Sequence, residues 1–590
     1  MRVRRFFLIG IAVSLGVLTS IAGAPASGAP RTHGQDVEVT VGSEDELFSR
    51  NKQNEPAVAV DANHPTVVVA GANDNIDLEV CNAGDATTCP FTAGVGGTGI
   101  QFSFDSGDTW MQPEYTGWTA RNCLGPDECE PEFGLIGTVP WYYENDLVSD
   151  GDPALAFGPK PGSDGTFSWD NGSRLYVANL TSAFPGEAPF KGFEAIGVSR
   201  IDGDPALTPE IVGDKDSWMQ PVLASKNKSS TQFSDKEQIW ADNAASSSHF
   251  GNVYICYAEF RSQAFAAAPI IVARSTDGGD TWTTKQVTAA HNVPPMHWGQ
   301  SGCTIRTDSV GTVYLFYEEF QSPFKFLPPH GTHMVVKSSD GGRKWTRPAK
   351  VASVTDPCYF VDPVIGRCVM DGIAGARNDL AAAPSVDIAN GAPTGGDATD
   401  EIVIAWADGD DGLNDEHVLF SYSTDHGASW SAPEAIESSP DDRGYYAAPA
   451  LSPDGTDAYV VYNAFTTPFR ENTTDPRTMV GVVLHSDIGG DGAPTGWTEL
   501  LRGDPGDPRA SSQNNLVAEF LGDYVYAAAS RDYGVAVWND VREAAVCDDV
   551  NDYRAALQAG EEAGAPAVNT DCPATFGNSD IWGASFADPS

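Results

Sequence analysis

An eight-residue motif occurs four times in this chain and restricts the folds that the chain can adopt. "STDGGDTW" (275–282) recurs with small changes as "SFDSGDTW" (103–110), "SSDGGRKW" (338–345) and "STDHGASW" (423–430). Every copy keeps Ser, Asp, Gly and Trp at the same spacing, although only 14 of the 590 residues are Trp. A recurring unit with such a signature predicts a fold built from structural repeats.

The residues of the octet fit a fixed turn between two strands. An Asp in a turn accepts backbone N–H groups, and Gly supplies the positive φ that the turn requires. The Trp can then fold back over apolar surface. We therefore assign the octet a structural role rather than a catalytic one.

The sequence between the octets alternates apolar and polar residues, as β-hairpins do. A strand ending in an aromatic and acidic tip recurs, for example "GNVYICYAEF" (251–260), "GTVYLFYEEF" (311–320) and "GVAVWNDVRE" (534–543). The units have almost no helical periodicity, and each is long enough for four strands. These features predict an all-β chain that forms a single β-propeller of seven four-stranded blades, with six blades as the alternative. The predicted first strands begin near Pro56, Pro153, Ile239, Cys303, Pro384, Pro449 and Asp523.

The N-terminal residues read as an export signal followed by a short segment. Arginines precede an apolar run, and Ala24-Pro25-Ala26 fits a signal-peptidase site. We expect a signal peptide over 1–26, an N-terminal segment over 27–53 and the propeller over 54–590. Within the second segment, "DVEVTV" (36–41) can add a closing strand to the last blade, which would cover an exposed sheet edge.

Charge and hydropathy restrict the partners. The chain carries 35 basic and 81 acidic side chains, a net charge of −46. Nucleic acids and anionic membranes are bound through Lys and Arg, so this balance argues against both. We find no later run long enough to span a membrane and expect a secreted, extracellular protein.

The cysteines indicate disulfides, because their number is even and the chain reads as exported. Neighbouring cysteines suggest short local pairs, whereas Cys256 and Cys303 are left either to pair or to remain buried thiols. The suggested pairs are Cys81 with Cys89, Cys123 with Cys129, Cys358 with Cys368 and Cys547 with Cys572.

The octet Ser-x-Asp-x-Gly-x-x-Trp resembles the Asp-box, the repeat of bacterial neuraminidases and of many other secreted propellers. The resemblance extends from about Asn54 to Phe586, with Lys344 at a position that usually holds Thr or Ser. It implies a sialidase-like β-propeller. It is less specific for activity, because non-enzymatic propellers carry the same motif.

The loops opposite the octets are the expected functional face. In a four-stranded meander, the loops between strands two and three share one face with the connections between blades. Acidic and aromatic residues are concentrated there, and carboxylates beside aromatic rings suit sugars. The candidate catalytic residues are Asp235, Glu237, Asp523, Tyr524, Asp540 and Arg542. The candidate substrate-binding residues are Glu55, Asp152, Glu259, Arg377, Asp379, Arg443 and Tyr446.

We expect the six candidate catalytic residues to share one cavity across the central channel. Arg542 would keep Asp540 ionised, whereas a carboxyl crowded by other acids would titrate higher. Such a pair of carboxyls suits general acid and base chemistry.

The resemblance also implies the sialidase site, in which three arginines bind the substrate carboxylate, a Tyr–Glu pair is the nucleophile and an Asp is the acid/base. The first arginine belongs to a phrase that leads into the first blade. Here that phrase reads "QNEPAV", with Asn54 at the arginine position and Glu55 beside it. A carboxylate there would repel an anionic substrate. Arg261, Arg377, Arg443 and Arg542 remain as sources of an altered grip.

A calcium site is one interpretation of "DGDDGLNDEH" (408–417), where Asp408, Asp410 and Asp411 offer hard oxygen ligands. Phe420 stands at the twelfth position, where an EF-hand has an acid, and a solvated acidic loop is the competing interpretation. No other cofactor is indicated.

Three functions remain. The first is a propeller that binds a glycan or hydrolyses a glycoside at the acidic, aromatic channel mouth. The second is a non-catalytic scaffold for an extracellular protein partner. The third is an exo-sialidase with an altered arginine grip.

Overall fold

The computed structural model describes residues 34–589 except 82–88, 90, 126, 226, 228, 262–267, 291–297 and 322–325. The predicted signal peptide lies outside these residues. Antiparallel sheets dominate the described chain, which has only three short α-helices: α1 (Pro209–Val212), α2 (Asp548–Gln558) and α3 (Val568–Asp571). None of the helices in the described part is long and apolar enough to cross a membrane.

Seven sheets follow one another along the chain, and each forms a blade. The first blade contains β2 (Gln53–Val60), β3 (Val68–Asp74) and β4 (Thr98–Ser103). The second contains β7 (Leu147–Pro159), β8 (Ser173–Ala183), β9 (Ala195–Asp202) and β10 (Trp218–Leu223). The third contains β11 (Phe233–Ala241), β12 (Val253–Phe260), β13 (Ile270–Ser275) and β14 (Thr283–Gln286). The fourth contains β15 (Trp298–Thr307), β16 (Val313–Gln321), β17 (His330–Ser338) and β18 (Ala349–Thr355).

The remaining blades repeat the same meander. The fifth contains β21 (Ser385–Ile388), β22 (Ile402–Asp408), β23 (His417–Ser423) and β24 (Glu434–Ala435). The sixth contains β25 (Arg443–Leu451), β26 (Asp457–Phe465), β27 (Met479–Asp487) and β28 (Thr498–Arg502). The seventh contains β29 (Tyr526–Ala529), β30 (Tyr533–Asp540), β31 (Asp580–Ala587) and, from the N-terminal segment, β1 (Val37–Glu38). Two small hairpins stand apart from the blades, β5 (Tyr115–Thr119) with β6 (Glu132–Ile136) and β19 (Phe360–Val361) with β20 (Cys368–Val369).

The blades close into a ring around a central channel. The first strands of adjacent blades are in contact all the way round, and β29 of the seventh blade returns to β2 of the first. The seven-bladed propeller predicted from the sequence is therefore confirmed, and the six-bladed alternative is wrong. The outer edge of the seventh blade is covered by β1, in which Val37 pairs with Gly583 of β31.

Each octet begins at the last residue of a third strand. Ser103, Ser275, Ser338 and Ser423 end β4, β13, β17 and β23. In every copy the Ser hydroxyl accepts the N–H of the residue four positions later, at 2.8–2.9 Å. The Asp carboxylate accepts a backbone N–H of the same turn, at 2.8–3.0 Å. The four octets therefore build the same turn.

The octet also fastens each blade to the blade before it. Trp282 of the third blade packs among residues of the second, and Trp430 of the fifth lies 5.9 Å, ring to ring, from Phe316 of the fourth. Arg174 of the second blade donates to the carbonyl of Gly278, and Arg274 of the third to that of Gly341, each at 2.8 Å. The octet thus holds blades together as well as strands.

Five disulfides are present. Four join the neighbouring cysteines that sequence proximity suggests, namely Cys81–Cys89, Cys123–Cys129, Cys358–Cys368 and Cys547–Cys572. The fifth joins Cys256 of β12 to Cys303 of β15. It links the third blade to the fourth.

Candidate functional site

The first strands of the blades carry β-bulges at the end of the channel opposite the octets. In the first, second, third, fourth and sixth blades the pairing register shifts near the start of the first strand. The bulge holds Glu55, Asp152, Lys236 and Gly302 at positive φ, between 49° and 60°. A left-handed non-glycine residue costs about 1–2 kcal/mol, so three of them at equivalent positions indicate a functional constraint on the backbone.

An ionic cluster joins these bulges to the seventh blade. Arg377, on the segment before β21, places Nε 2.7 Å and Nη2 2.8 Å from the two carboxylate oxygens of Asp523. The same Nη2 donates to Glu55 at 2.9 Å. From the third blade, Nζ of Lys236 reaches Asp523 at 2.5 Å. Both lysine and arginine therefore converge on one buried aspartate.

Neighbouring groups complete the cluster between the first three blades. Asn73 donates to Glu55 and accepts the backbone N–H of Asp152, each at 2.5 Å. The Asp152 carboxylate lies 3.6 Å from Nζ of Lys236. Gly522, with φ of 75°, precedes Asp523, and a Cβ there would lie 2.6 Å from Cγ of Glu55. Only glycine lets the seventh blade approach the first this closely.

A cavity of about 60 Å³ lies beside this cluster, in the channel. Its wall includes Lys236, Glu237, Tyr446, Asp523 and Tyr524, contributed by three different blades. Tyr446 is fixed there, because its hydroxyl lies 2.7 Å from the carbonyl oxygen of Gly522. The candidate residues Glu237, Asp523, Tyr524 and Tyr446 are therefore neighbours in one cavity.

Two carboxyl groups of this cavity have opposite surroundings. Both oxygens of Glu237 are buried and have no hydrogen-bond partner among the described residues. Burial raises the pKa of Glu237 well above its ordinary value, and the nearby charge of Asp152 adds to the rise. Burial also acts to raise the pKa of Asp523, but Arg377 and Lys236 more than offset it and hold that pKa below its ordinary value. The surroundings thus favour the protonated form of Glu237 and the ionised form of Asp523.

The rim of the cavity is only partly covered. The exposed fraction of the side chain is 20% for Asp235, 12% for Lys236, 11% for Asp152 and 20% for Arg377. Burial raises the pKa of Tyr524, and the charge of Asp152 raises it further, so its hydroxyl stays neutral. The rim therefore offers charged groups of both signs to a ligand.

The structure places two candidate catalytic residues elsewhere, in contrast to the sequence prediction of one shared cavity. Arg542 pairs with Asp540 at 2.7 Å and with Asp36 at 2.6 Å, and it lies 4.0 Å above the ring of Trp582. These contacts belong to the outer strands of the seventh blade. The sequence prediction went wrong because Asp540 ends β30, a second strand, which is separated from the channel by the first.

Three candidate substrate-binding residues lie outside both the cavity wall and the ionic cluster. Arg443 is buried and pairs with Glu416 at 2.9 Å and with Asp371 at 2.8 Å. Glu259 pairs with Arg261 at 2.8 Å, and Asp379 pairs with Arg367. Glu55, Asp152 and Arg377 remain as members of the ionic cluster.

The arginines proposed for an altered sialidase grip do not converge. Arg261, Arg443 and Arg542 each pair with a carboxylate away from the cavity wall. Arg377 alone of these four borders the cluster, and Glu55 is one of its partners. Of these four arginines, Arg377 is therefore the one near the cavity, and carboxylates already balance its charge. An anionic sugar would need several arginines.

Among the described residues, Asp408, Asp410 and Asp411 do not come together as a group of possible metal ligands. Asp408 accepts the N–H of Thr355 at 3.2 Å and the indole N–H of Trp406 at 2.9 Å. Asp410 accepts the hydroxyl of Thr355, whereas Asp411 pairs with His417 at 2.9 Å. The three carboxylates thus contact separate donors, as expected of a solvated acidic loop.

Sequence reasoning missed Lys236 and Asn73. Lys236 stands between two acids in "SDKEQ" and reads as an ordinary surface lysine. Its position could have revealed it, because Lys236 stands in the third blade where Glu55 and Asp152 stand in the first and second blades. Only the shared bulge turns all three toward the channel.

Comparison with known proteins identifies no family. No family model matches the chain, and no curated protein matches it. Among solved structures, a Hadza microbial sialidase is 13% identical, with 70% of this chain and 63% of that protein covered and a TM-score of 0.37. The chain thus spans less than two thirds of that sialidase.

Two further structures are similarly distant. The alpha-L-arabinofuranosidase of Fusarium graminearum, in complex with an iminosugar inhibitor, is 13% identical over 76% of this chain and 94% of its own, with a TM-score of 0.34. The endosialidase of phage phi92 is 9% identical over 95% of this chain and 70% of its own, with a TM-score of 0.39. At these values the comparisons assign neither a family nor an activity.

Proposed function

We propose that this propeller acts on a carbohydrate at the bulge end of its channel and hydrolyses a glycosidic bond there. Glu237 is the proton donor to the leaving oxygen. Asp523, held ionised by Arg377 and Lys236, is the negative charge that stabilises the sugar cation formed in the transition state. This proposal deepens the sequence interpretation of a carbohydrate-directed, sialidase-like propeller.

The supporting observation is the contrast between two carboxyls of one cavity, of which Glu237 has no hydrogen-bond partner among the described residues and Asp523 lies between two cations. Hydrolysis of a glycoside needs one protonated and one ionised carboxyl on either side of the scissile bond. Environments that push the pKa values of neighbouring acids apart are a mark of acid and base assignments. Glu237 is buried and has no hydrogen-bond partner among the described residues, whereas Asp523 is buried and forms ion pairs with two cations.

The size of the cavity fixes how a sugar would bind. A volume of about 60 Å³ is well below the 300–1,000 Å³ common for small-molecule pockets. The sugar ring therefore lies at the rim, against Asp152, Asp235 and Arg377, and only the glycosidic oxygen reaches toward Glu237. A neutral sugar fits this rim better than a sialic acid, because both cations of the rim, Lys236 and Arg377, are already paired with Asp523.

A non-catalytic extracellular scaffold is the second candidate. The observation in its favour is the completeness of the ionic cluster, in which Asp523 already has its charge matched. A cluster of this kind can close the channel and hold the blades without binding anything.

We also infer export from the cell. The five disulfides are typical of an oxidising compartment. Expression in a secretion-competent host, followed by N-terminal sequencing, tests the predicted cleavage after Ala26.

A panel of aryl glycosides tests the proposed function. The panel contains neutral pyranosides, an α-L-arabinofuranoside and an α-sialoside. We expect release of the aryl group from a neutral glycoside and none from the sialoside. Binding to a glycan array without release on any substrate would leave a lectin-like scaffold, and no binding with no release would overturn the proposal.

A further inference from the structure

A larger cavity lies outside the channel, beside the segment that leads into the first blade. It measures about 550 Å³ and its wall includes Lys52, Phe91, Asn514, Leu516, Phe520 and Tyr553. Phe91 is 65% exposed, so the cavity opens to solvent beside this ring. Its size falls within the range of ligand pockets, in contrast to the cavity in the channel.

Lys52 is the unusual residue of this cavity. Its side chain is fully buried, and Nζ has no hydrogen-bond partner among the described residues. Three aromatic rings lie around it: Nζ is 5.0, 5.4 and 5.9 Å from the ring centres of Phe48, Phe520 and Phe91. A buried lysine without a hydrogen-bonded acid is rare, because an unpaired charge is costly away from water.

The surroundings favour the uncharged amine. Burial lowers the pKa of Lys52 well below its ordinary value, and only the charge of Glu79 acts in the opposite direction. A neutral lysine amine in an apolar pocket is a nucleophile at neutral pH, unlike a surface lysine.

Glu79 supplies a second reactive group near the amine. It is fully buried, and one of its carboxylate oxygens accepts the backbone N–H of Thr92 at 3.2 Å. The other oxygen is buried and has no partner among the described residues. This second oxygen of Glu79 is therefore available as a hydrogen-bond acceptor in the same buried region.

We propose that Lys52 forms a Schiff base with an apolar aldehyde or ketone bound in this cavity. The nitrogen lone pair attacks the carbonyl carbon, and the nitrogen proton passes to the oxygen to give a carbinolamine. Proton transfer to the hydroxyl through Glu79 then expels water and forms the C=N bond. The sequence needs no oxidant, reductant or cofactor, and it does not depend on the channel.

Reductive trapping tests the proposal. The full-length protein is incubated at pH 7 with 2-naphthaldehyde and sodium cyanoborohydride, which reduces the imine to a secondary amine. Peptide mapping by mass spectrometry then locates the naphthylmethyl group. We expect one group per chain, on Lys52, before the exposed Lys191 and Lys344 react.

Labelling at a series of pH values distinguishes a lysine whose amine is already uncharged from one that is only accessible. The free-amine fraction of an ordinary lysine rises about 100-fold between pH 7 and 9. Labelling of Lys52 relative to Lys191 in the same sample should therefore fall by at least about tenfold over that range. A constant ratio would overturn the proposal.

Two controls complete the test. Excess naphthalene, which fills the cavity but cannot react, should slow labelling of Lys52 and leave Lys191 unchanged. Lys52→Met should remove the rapid label without affecting the exposed lysines. If that variant fails to fold, the positions of the label in the wild-type protein still test the proposal. Labels spread evenly over surface lysines, or an unlabelled Lys52, contradict it.

Discussion

The ammonium of Lys236 lies 2.5 Å from a carboxylate oxygen of Asp523, on the opposite side of the channel. The contact joins the third blade directly to the seventh. Arg377 joins the same aspartate to Glu55 of the first blade. The channel is therefore tied across its width at the end where the first strands bulge.

Asp523→Asn should destabilise the protein strongly. Removing one partner of a buried ion pair leaves the other charge uncompensated and costs about 3–5 kcal/mol. Here two cations, Lys236 and Arg377, lose their nearest carboxylate. Urea denaturation measures the change.

The matched control for that variant is Asp379→Asn. Asp379 pairs with Arg367, and both side chains are partly exposed, at 28% and 43%. Exposed pairs contribute about 0–1 kcal/mol. Equal losses in the two variants would mean that the channel cluster is no stronger than a surface pair.

Stability should fall as the pH rises from about 5 to 8. Burial raises the pKa of Asp242 to about 7 and that of Glu194 and Glu401 to about 8. Unfolding frees these acids to ionise, so stability present below their unfolded pKa of about 4 is lost as the pH rises toward the folded values. A tenfold difference in acidity between the folded and the unfolded chain corresponds to about 1.4 kcal/mol for each carboxyl. Urea midpoints at pH 5, 6.5 and 8 check the trend, and a midpoint that rises with pH would contradict it.

Asp277→Ala should weaken the fold without affecting the channel. Asp277 accepts the backbone N–H of Thr281 at 3.0 Å and its hydroxyl at 2.6 Å. Loss of such turn-fixing bonds costs about 1–2 kcal/mol. Thermal melting should show this loss, and Asp441→Ala at an exposed loop position should show almost none. A loss of glycoside turnover at an unchanged melting temperature would instead move function to the octet face.

Removal of the Cys256–Cys303 bridge should cost more than removal of Cys123–Cys129. The sequence separations are 47 and 6 residues. The loop-entropy relation gives about 4 and about 2 kcal/mol for loops of these lengths. Double Cys→Ala variants compared by urea denaturation check the order, and the reverse order would show that strain or residual structure outweighs chain entropy.

The propeller architecture can be predicted from the sequence because the octet is a local motif, whose contacts involve neighbouring residues. Its Ser, Asp, Gly and Trp bond within one turn, so eight residues reveal the turn and its recurrence reveals the blades. The site depends instead on where distant segments meet. Lys236 and Asp523 are 287 residues apart, and no pattern near either residue indicates the other. Lys52 shows the same limit, because its burial depends on Phe48, Phe91 and Phe520.

The most direct test of the account is the turnover of the best aryl glycoside by Glu237→Gln. Burial raises the pKa of Glu237, and its oxygens have no hydrogen-bond partner among the described residues. Glutamine therefore keeps the shape of the protonated acid while removing the acidic proton. General acid catalysis contributes about 10²–10⁴-fold, and turnover should fall by that factor while the urea midpoint stays nearly unchanged. Glu259→Gln, outside the cavity, should keep wild-type turnover. A folded Glu237→Gln protein with full activity would contradict the proposed role of Glu237 and of the channel cavity.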